Sequence, residues 1–293
     1  MTAVLGVIFS LGFATQVLVI ALPYALAAMG GALTERAGVI DLALEAKLLF
    51  GAFTAAAVGY ATGSAYLGLA GGIAAGIAVS AVQLGCALRL GADQVIIGVA
   101  LNLLALGGTR FLLQLLFGEG ANSPPSPSFA SPVIGNPIMW IAVIAAASVS
   151  FALRRTRWGL RLRAAGDRPD ALVAVGVSPS RARFLAALVG GALAGAGGAQ
   201  LSLAVNGFSA EMSSNRGYIA LAMVILSGWR PAWAVVACLG VAFAESVNIA
   251  FQITNVGVSP ELVTLLPYVT TLAVLIVVGG RKRQPPRSLG RVA

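Results

Sequence analysis

Along the chain, apolar runs of about 20 residues alternate with short polar joints, and each run is long enough as a helix to cross a hydrocarbon core of about 30 Å. The pattern predicts spans near 6–29, 46–62, 66–88, 94–116, 134–153, 184–206, 217–229, 231–253 and 262–280, about nine in all. Within each run the apolar residues are continuous, which excludes a β-barrel, whose strands would alternate polar and apolar. The expected fold is an all-α polytopic membrane protein, one helical bundle over 1–293. The spans at 46–62 and 217–229 are short. Between the second of these and the next span, Gly228-Trp229-Arg230-Pro231 either interrupts a discontinuous helix or forms a turn at the membrane surface.

Composition agrees. Hydrophobic residues make up 58% of the 293 positions and charged residues 10%, against roughly a quarter in soluble domains, and mean hydropathy is +0.92. Glycine is abundant at 36 residues and falls within the runs, as in Gly71-Gly72-Ile73-Ala74-Ala75-Gly76 and Gly190-Gly191-Ala192-Leu193-Ala194-Gly195. In a membrane such small-residue faces let helices touch backbone to backbone. The two cysteines, Cys86 and Cys238, lie in apolar runs and read as small hydrophobes rather than a disulfide. Histidine is absent, which removes the commonest general base and metal ligand and argues against a metal site or an intramembrane enzyme.

The net charge of +9 implies no nucleic-acid partner, because the basic residues are concentrated where membrane proteins keep them. Segment 154–183 has eight arginines and two aspartates; segment 281–293 has five basic residues and no acid. Both are expected in the cytoplasm. The loop at 118–132, rich in Pro and Ser and without a basic residue, is expected outside, and an odd number of spans then places the N-terminus outside too. Membrane lipid surrounds the bundle. Within 154–183, Asp167-Arg168-Pro169-Asp170 offers helix-start residues, Ala171 opens an "ALVAV" helix, and Gly176 stands where a left-handed residue would end it. Two readings fit: a short helix displayed for docking, or a solvated basic loop.

An internal similarity relates "RAGVIDLAL" from Arg36 to "RGYIALAM" from Arg216. Each follows a long apolar run and precedes a short one, as inverted repeats do where their interrupted segments line a transport site; chance similarity of apolar segments is the other reading.

"ERAGVIDLALEAKLLFGAF", "GADQVIIGVALNLLALG", "WGLRLRAAGDRPDALVAVGVSPSRAR" and "GYIALAMVILSGWRPAWAV" together resemble the permease subunits of bacterial ATP-binding-cassette importers for nucleosides and simple sugars, relatives of the branched-chain amino acid permeases. The resemblance runs in order over about residues 33–280. It implies a multi-pass protein of the bacterial inner membrane that works by alternating access. It also implies a coupling helix within 161–183 that docks on an ATPase. The implied partners are that ATPase, often with two fused cassettes, a second related permease in a heterodimer, and an extracytoplasmic solute-binding lipoprotein. The motor is not in this chain, since a P-loop ends in Gly-Lys-Ser/Thr and the only lysines are Lys47 and Lys282. ATP and Mg would belong to the partner. The pattern of such permeases, Gly-Val-Ile-Asn-Leu-Gly-Leu-Glu-Gly, is changed here at Asp41, Ala43 and Ala46, and Lys47 follows in place of an apolar residue.

Five charges, Glu35, Arg36, Asp41, Glu45 and Lys47, interrupt two stretches that otherwise hold none. If Asp41 and Glu45 share a helix face four residues apart, their repulsion costs about 0.2–0.5 kcal/mol and needs an offset from Lys47, Arg36, a partner helix or a polar solute. They line a solute path, or they form a self-paired interfacial turn. Glu245 with Asn248, and Asn102 with Arg110 as a counter-ion, are further path candidates whose other reading is polar adhesion between helices. Phe50, Phe53 and Trp229 either stack on a solute or pack the bundle. A self-sufficient secondary transporter, or a permease for a sugar or a branched-chain amino acid, is the alternative function.

Overall fold

A computed structural model describes residues 10–131, 133–254 and 284–290. It contains α1 (Leu11–Arg36), α2 (Leu44–Thr62), α3 (Ala65–Arg89), α4 (Gln94–Phe117), α5 (Pro137–Arg155), α6 (Arg157–Asp167), α7 (Pro169–Ala174), α8 (Pro179–Ala204), α9 (Arg216–Leu226) and α10 (Pro231–Thr254). Among the described residues, seven helices are long and apolar enough to cross a membrane, and α9 is a shorter apolar helix. The expected span at 262–280 lies outside the described residues. The first helix departs from expectation by running to Arg36 rather than ending near residue 29. Its charged end can stay helical because Glu35 and Arg36 find partners on a distant turn, described below.

Most helices are started by their own sequence. Ser10, Ser64, Asp93, Asn136, Thr156 and Ser178 each accept a backbone N–H of the first turn that follows, the contacts at Asp93 being 2.8 and 3.1 Å. The N-cap residues of α2 and α9, Ala43 and the left-handed Asn215, supply no such bond.

The centre of the bundle is α1, α2, α3 and α8, which pack closely on one another. The two glycine faces meet here. A methyl group on Gly76 would run into the Gly191 carbonyl and sit 2.7 Å from the Gly195 Cα. Gly30 lies equally close to Gly190, and Gly51 places its missing Cβ 2.7 Å from the Gly195 carbonyl oxygen. Lipid chains are as apolar as the side chains they touch, so helix association rests on this close packing rather than on a hydrophobic force. Outside the core, α4 and α5 leave Leu103, Leu104, Val143 and Ile144 exposed, the surface expected to face lipid.

Two ends can be distinguished. At one, the loop at 118–131 pairs with the segment after α8 through Ser123 N to Phe208 O (2.8 Å) and Ser126 N to Asn206 O (2.8 Å). At the other, Arg36, Arg154, Arg163, Arg230 and Trp229 line a cleft of about 320 Å³. The Gly228–Pro231 joint therefore lies at the arginine-rich end and forms a turn there, with Gly228 and Trp229 both left-handed (φ 64° and 57°). The arginine-rich segment is more helical than expected: Asp167 closes α6 instead of capping α7, and Arg168 precedes α7 without a side-chain cap. Gly176 is left-handed (φ 72°), as its position after a short helix predicts.

Gly76→Ala is expected to lower stability by about 1–3 kcal/mol through overpacking. Gly107→Ala, at a site with nothing within 4 Å, should be neutral; thermal unfolding of both variants in detergent checks the pair.

Candidate functional site

Between α1 and α2 the chain leaves helical geometry for residues 37–43, most of them buried. Buried backbone without regular partners must be hydrogen-bonded by side chains. Gln94 accepts from Ile40 N at 2.7 Å, Gln83 donates to Ile40 O at 3.2 Å, and Asn102 donates to Leu42 O at 2.9 Å. Asn102 also accepts from Ala46 N at 2.9 Å, so a residue of α4 supplies the cap that α2 lacks.

The first turn of α9 is built the same way. Glu45 of α2 accepts from Asn215 N (3.0 Å), Gly217 N (2.6 Å) and the Ser213 hydroxyl (2.6 Å). A carboxylate at a helix start meets both free N–H groups and the positive end of the dipole. Gly217 has no room for a side chain, since its Cβ would lie 2.6 Å from the Glu45 Cα. The two segments that resemble each other in sequence thus begin their helices side by side. Around the same turn, Arg216 pairs with Glu245 of α10 at 2.8 Å and stands 5.7 Å from the ring centre of Tyr24 on α1. The Tyr24 hydroxyl donates to Glu245 at 3.0 Å, and Asn102 donates to the Tyr218 hydroxyl at 2.8 Å. Residues 213–218 therefore gather polar side chains from α1, α2, α4 and α10. The Arg216–Glu245 pair keeps about a fifth of its side-chain surface open (21% and 23%).

The other candidates are placed differently. Asp41 lies in the break before α2 starts, so it and Glu45 do not share a helix face. Its partner is Lys47; both side chains are fully buried, and the second Asp41 carboxylate oxygen has no partner among the described residues. Phe53 is buried edge-to-face on Phe208, with ring centres 5.4 Å apart. Phe50 lies beside Gly108 on the face between α2 and α4. Trp229 is buried and donates to Glu35 at 2.5 Å, while Arg36 donates to the Trp229 carbonyl at 2.9 Å; these contacts hold the charged end of α1. Asn248 accepts from Gln252 one turn along its own helix at 2.7 Å. Arg110 does not serve Asn102 as a counter-ion, since it pairs with Glu211 in an exposed contact. Tyr24 escaped the sequence reading because a single polar group in an apolar run carries no periodic mark, Ser213 because it lies in a joint between runs, and Tyr218 stood in a quoted motif without a role. Arg216 and Gln94 stood in quoted motifs without a role.

The model of a transport family described as "Branched-chain amino acid transport system / permease component" matches residues 13–275. The chain belongs to this family. It is 32% identical to the guanosine ABC transporter permease NupQ of Bacillus subtilis over 293 residues, covering 92% of each chain. It is 28% identical to the nucleoside ABC transporter permease NupC of Lactococcus lactis, over 92% of this chain and 93% of that one. A Haloferax volcanii permease whose name assigns it provisionally to glucose is 31% identical over 85% of this chain and 86% of its own. No solved structure matches the chain. The protein is thus a multi-pass translocation subunit of an ABC importer in the inner membrane, not an enzyme, and it works with an ABC ATPase and a substrate-binding protein. A secondary transporter acting alone is set aside.

Asp41→Asn gives the residue of the motif this chain resembles but leaves Lys47 buried without a counter-charge, so it is expected to cost roughly 3–5 kcal/mol. Adding Lys47→Leu should recover most of that loss. Thermal unfolding of the two single variants and the double variant measures the coupling.

Proposed function

We propose that this permease carries nucleosides into the cytoplasm and that the solute passes the polar turn at 213–218. The observation that carries the solute class is the similarity to the guanosine permease over 92% of both chains. The site fits the chemistry. A nucleoside offers a ribose with several hydroxyls and a base with donors and acceptors, and Glu45, Asn102, Tyr218, Arg216 and Glu245 present both kinds of group around one helix start. Asp41, Phe50, Phe53, Trp229 and Asn248 serve as packing and polar support elsewhere in the bundle in the conformation described, and those that become exposed when the bundle rearranges would join the path. The similarity to the Haloferax permease favours a simple sugar as the second reading, because the hydroxyl partners would be the same.

The orientation we infer places 154–183 and 281–293 in the cytoplasm and 118–132 and the N-terminus outside, following the distribution of arginine. Segment 154–183 is then the coupling segment. Its short helix α7 buries Leu172, while Val173 and, just past the helix end, Val175 are largely exposed (62% and 71%) between Asp167, Arg168, Pro169, Asp170, Ala171 and Gly176. Exposed apolar residues at a charged surface suit a pocket on the ATPase, where ATP and Mg would be held. A partner with two fused cassettes, a second related permease in a heterodimer and a lipoprotein that delivers solute complete the assembly.

Uptake of labelled guanosine and labelled glucose by vesicles containing the permease, its ATPase and its binding protein tests the solute class; glucose uptake without guanosine uptake would reverse it. In the same vesicles, Glu45→Gln should lower uptake about tenfold, the equivalent of one charge-assisted hydrogen bond at about 1.5 kcal/mol, with the amount of inserted protein unchanged. Asp170→Trp combined with Ala171→Trp should leave insertion intact while abolishing solute-stimulated ATP hydrolysis.

A further inference from the structure

The sequence marks 281–293 as a basic cytoplasmic tail without assigning it a contact. Its described part, 284–290, is inserted between two other segments. Ser288 N donates to Gly166 O at 2.8 Å, and the Ser288 hydroxyl lies 2.6 Å from Gly166 O and 3.1 Å from Ala165 O. Two residues on, Gly290 N donates to Gly38 O at 3.1 Å, and a Cβ on Gly290 would lie 2.9 Å from the Ile40 side chain. Pro286 and Ser288 are buried, and Leu289 packs on the cluster that contains Leu44 and Val224. One short turn therefore bonds the end of α6 on one side and the α1–α2 break on the other.

A single side chain joins all three segments. Arg183 of α8 is 1% exposed. It donates to Ala37 O at 3.2 Å, to Ala165 O at 3.2 Å and to the Ser288 hydroxyl at 3.4 Å. Among the described residues it forms no ion pair, and its remaining terminal nitrogen has no partner. Burying a guanidinium on neutral oxygens alone is costly, and a leucine or methionine would fill the space without that cost. What an apolar residue could not do is hold carbonyls of two different segments and the tail at one point. The approach is also close: Gly166 has no room for a Cβ, which would run into the Arg36 carbonyl.

We propose that residues 286–290 form an internal tie that carries displacement of the coupling helices to the α1–α2 break, with Arg183 and Ser288 as its positioning residues. The inference rests on the reading of 154–183 as the ATPase-docking segment. Gly166 lies in the last turn of α6, three residues before the start of α7, so a push on α7 reaches the tie through that turn. From the tie, the path runs through Gly38 and Ile40 to the start of α2, whose Glu45 holds the first turn of α9. The tie thus links the ATPase side to the polar turn proposed for the solute without passing through the long helices.

The test uses the assembled transporter in vesicles, comparing wild type with a chain ending at Arg283, with Ser288→Ala, with Arg183→Lys, and with the Asp170→Trp, Ala171→Trp variant. For the truncated chain we expect the ATPase to stay bound and its basal hydrolysis to stay within about twofold, while uptake per ATP hydrolysed falls at least tenfold. Ser288→Ala should raise the ATP consumed per solute about threefold. Arg183→Lys, which keeps the charge and some of the bonds, should fall between the truncation and wild type. Truncation with an unchanged ATP-to-solute ratio, beside an impaired double-Trp variant, overturns the tie alone. Loss of the ATPase from the truncated complex also overturns it, since the tail would then belong to the docking surface. A double-Trp variant with normal ATPase stimulation overturns the docking reading and the tie with it. Should the truncated chain fail to insert, Ser288→Ala decides, and a wild-type ratio there sinks the proposal.

Discussion

The arrangement of this bundle follows from one constraint: irregular backbone buried among membrane helices has no water to bond, so side chains must supply its partners. The break at 37–43 meets that requirement with Gln83, Gln94 and Asn102 from α3 and α4. Each of these bonds also fixes a helix position, since α3 and α4 cannot drift without exposing the groups they satisfy. The same logic extends to α9, whose start is satisfied by Glu45 rather than by its own cap. A helix whose N-terminus depends on another helix is a natural place for movement, because shifting one element releases the other.

Two packing regimes coexist. The centre, α1, α2, α3 and α8, is held by glycine faces at backbone contact, where displacement of even a methyl group is resisted. The polar turn at 213–218 is held by hydrogen bonds and the partly open Arg216–Glu245 pair, which can exchange partners at smaller cost. An alternating-access protein needs both a stiff frame and a region with two discrete bonding arrangements. The division of glycine and polar residues between these regions is how this chain provides them.

The fully buried Asp41–Lys47 pair occupies two of the positions at which this chain departs from the motif it resembles. The motif has an amide and an apolar residue at these two positions; here a carboxylate and an ammonium stand there, and they meet in space. Either substitution alone would leave a charge without compensation, and the two together restore neutrality. The pair therefore does not by itself imply a different solute; it is the neutral equivalent of what it replaces.

Membrane class, helical fold and most span boundaries were legible in the sequence, because they depend on neighbouring residues: the length of an apolar run, the polar joints between runs, Gly176 after a short helix. The two glycine faces were legible too, although not that they face each other. Tertiary structure alone decided the rest. Asn102 caps a helix through Ala46 across 56 residues, Glu45 caps one through Gly217 across 172 residues, and Ser288 bonds Gly166 across 122. A bond between such distant residues leaves no periodicity or spacing in the chain, since nothing local depends on it. It exists only once packing has brought the segments together, which is why the roles of Asn102, Glu45 and the C-terminal segment follow from the fold.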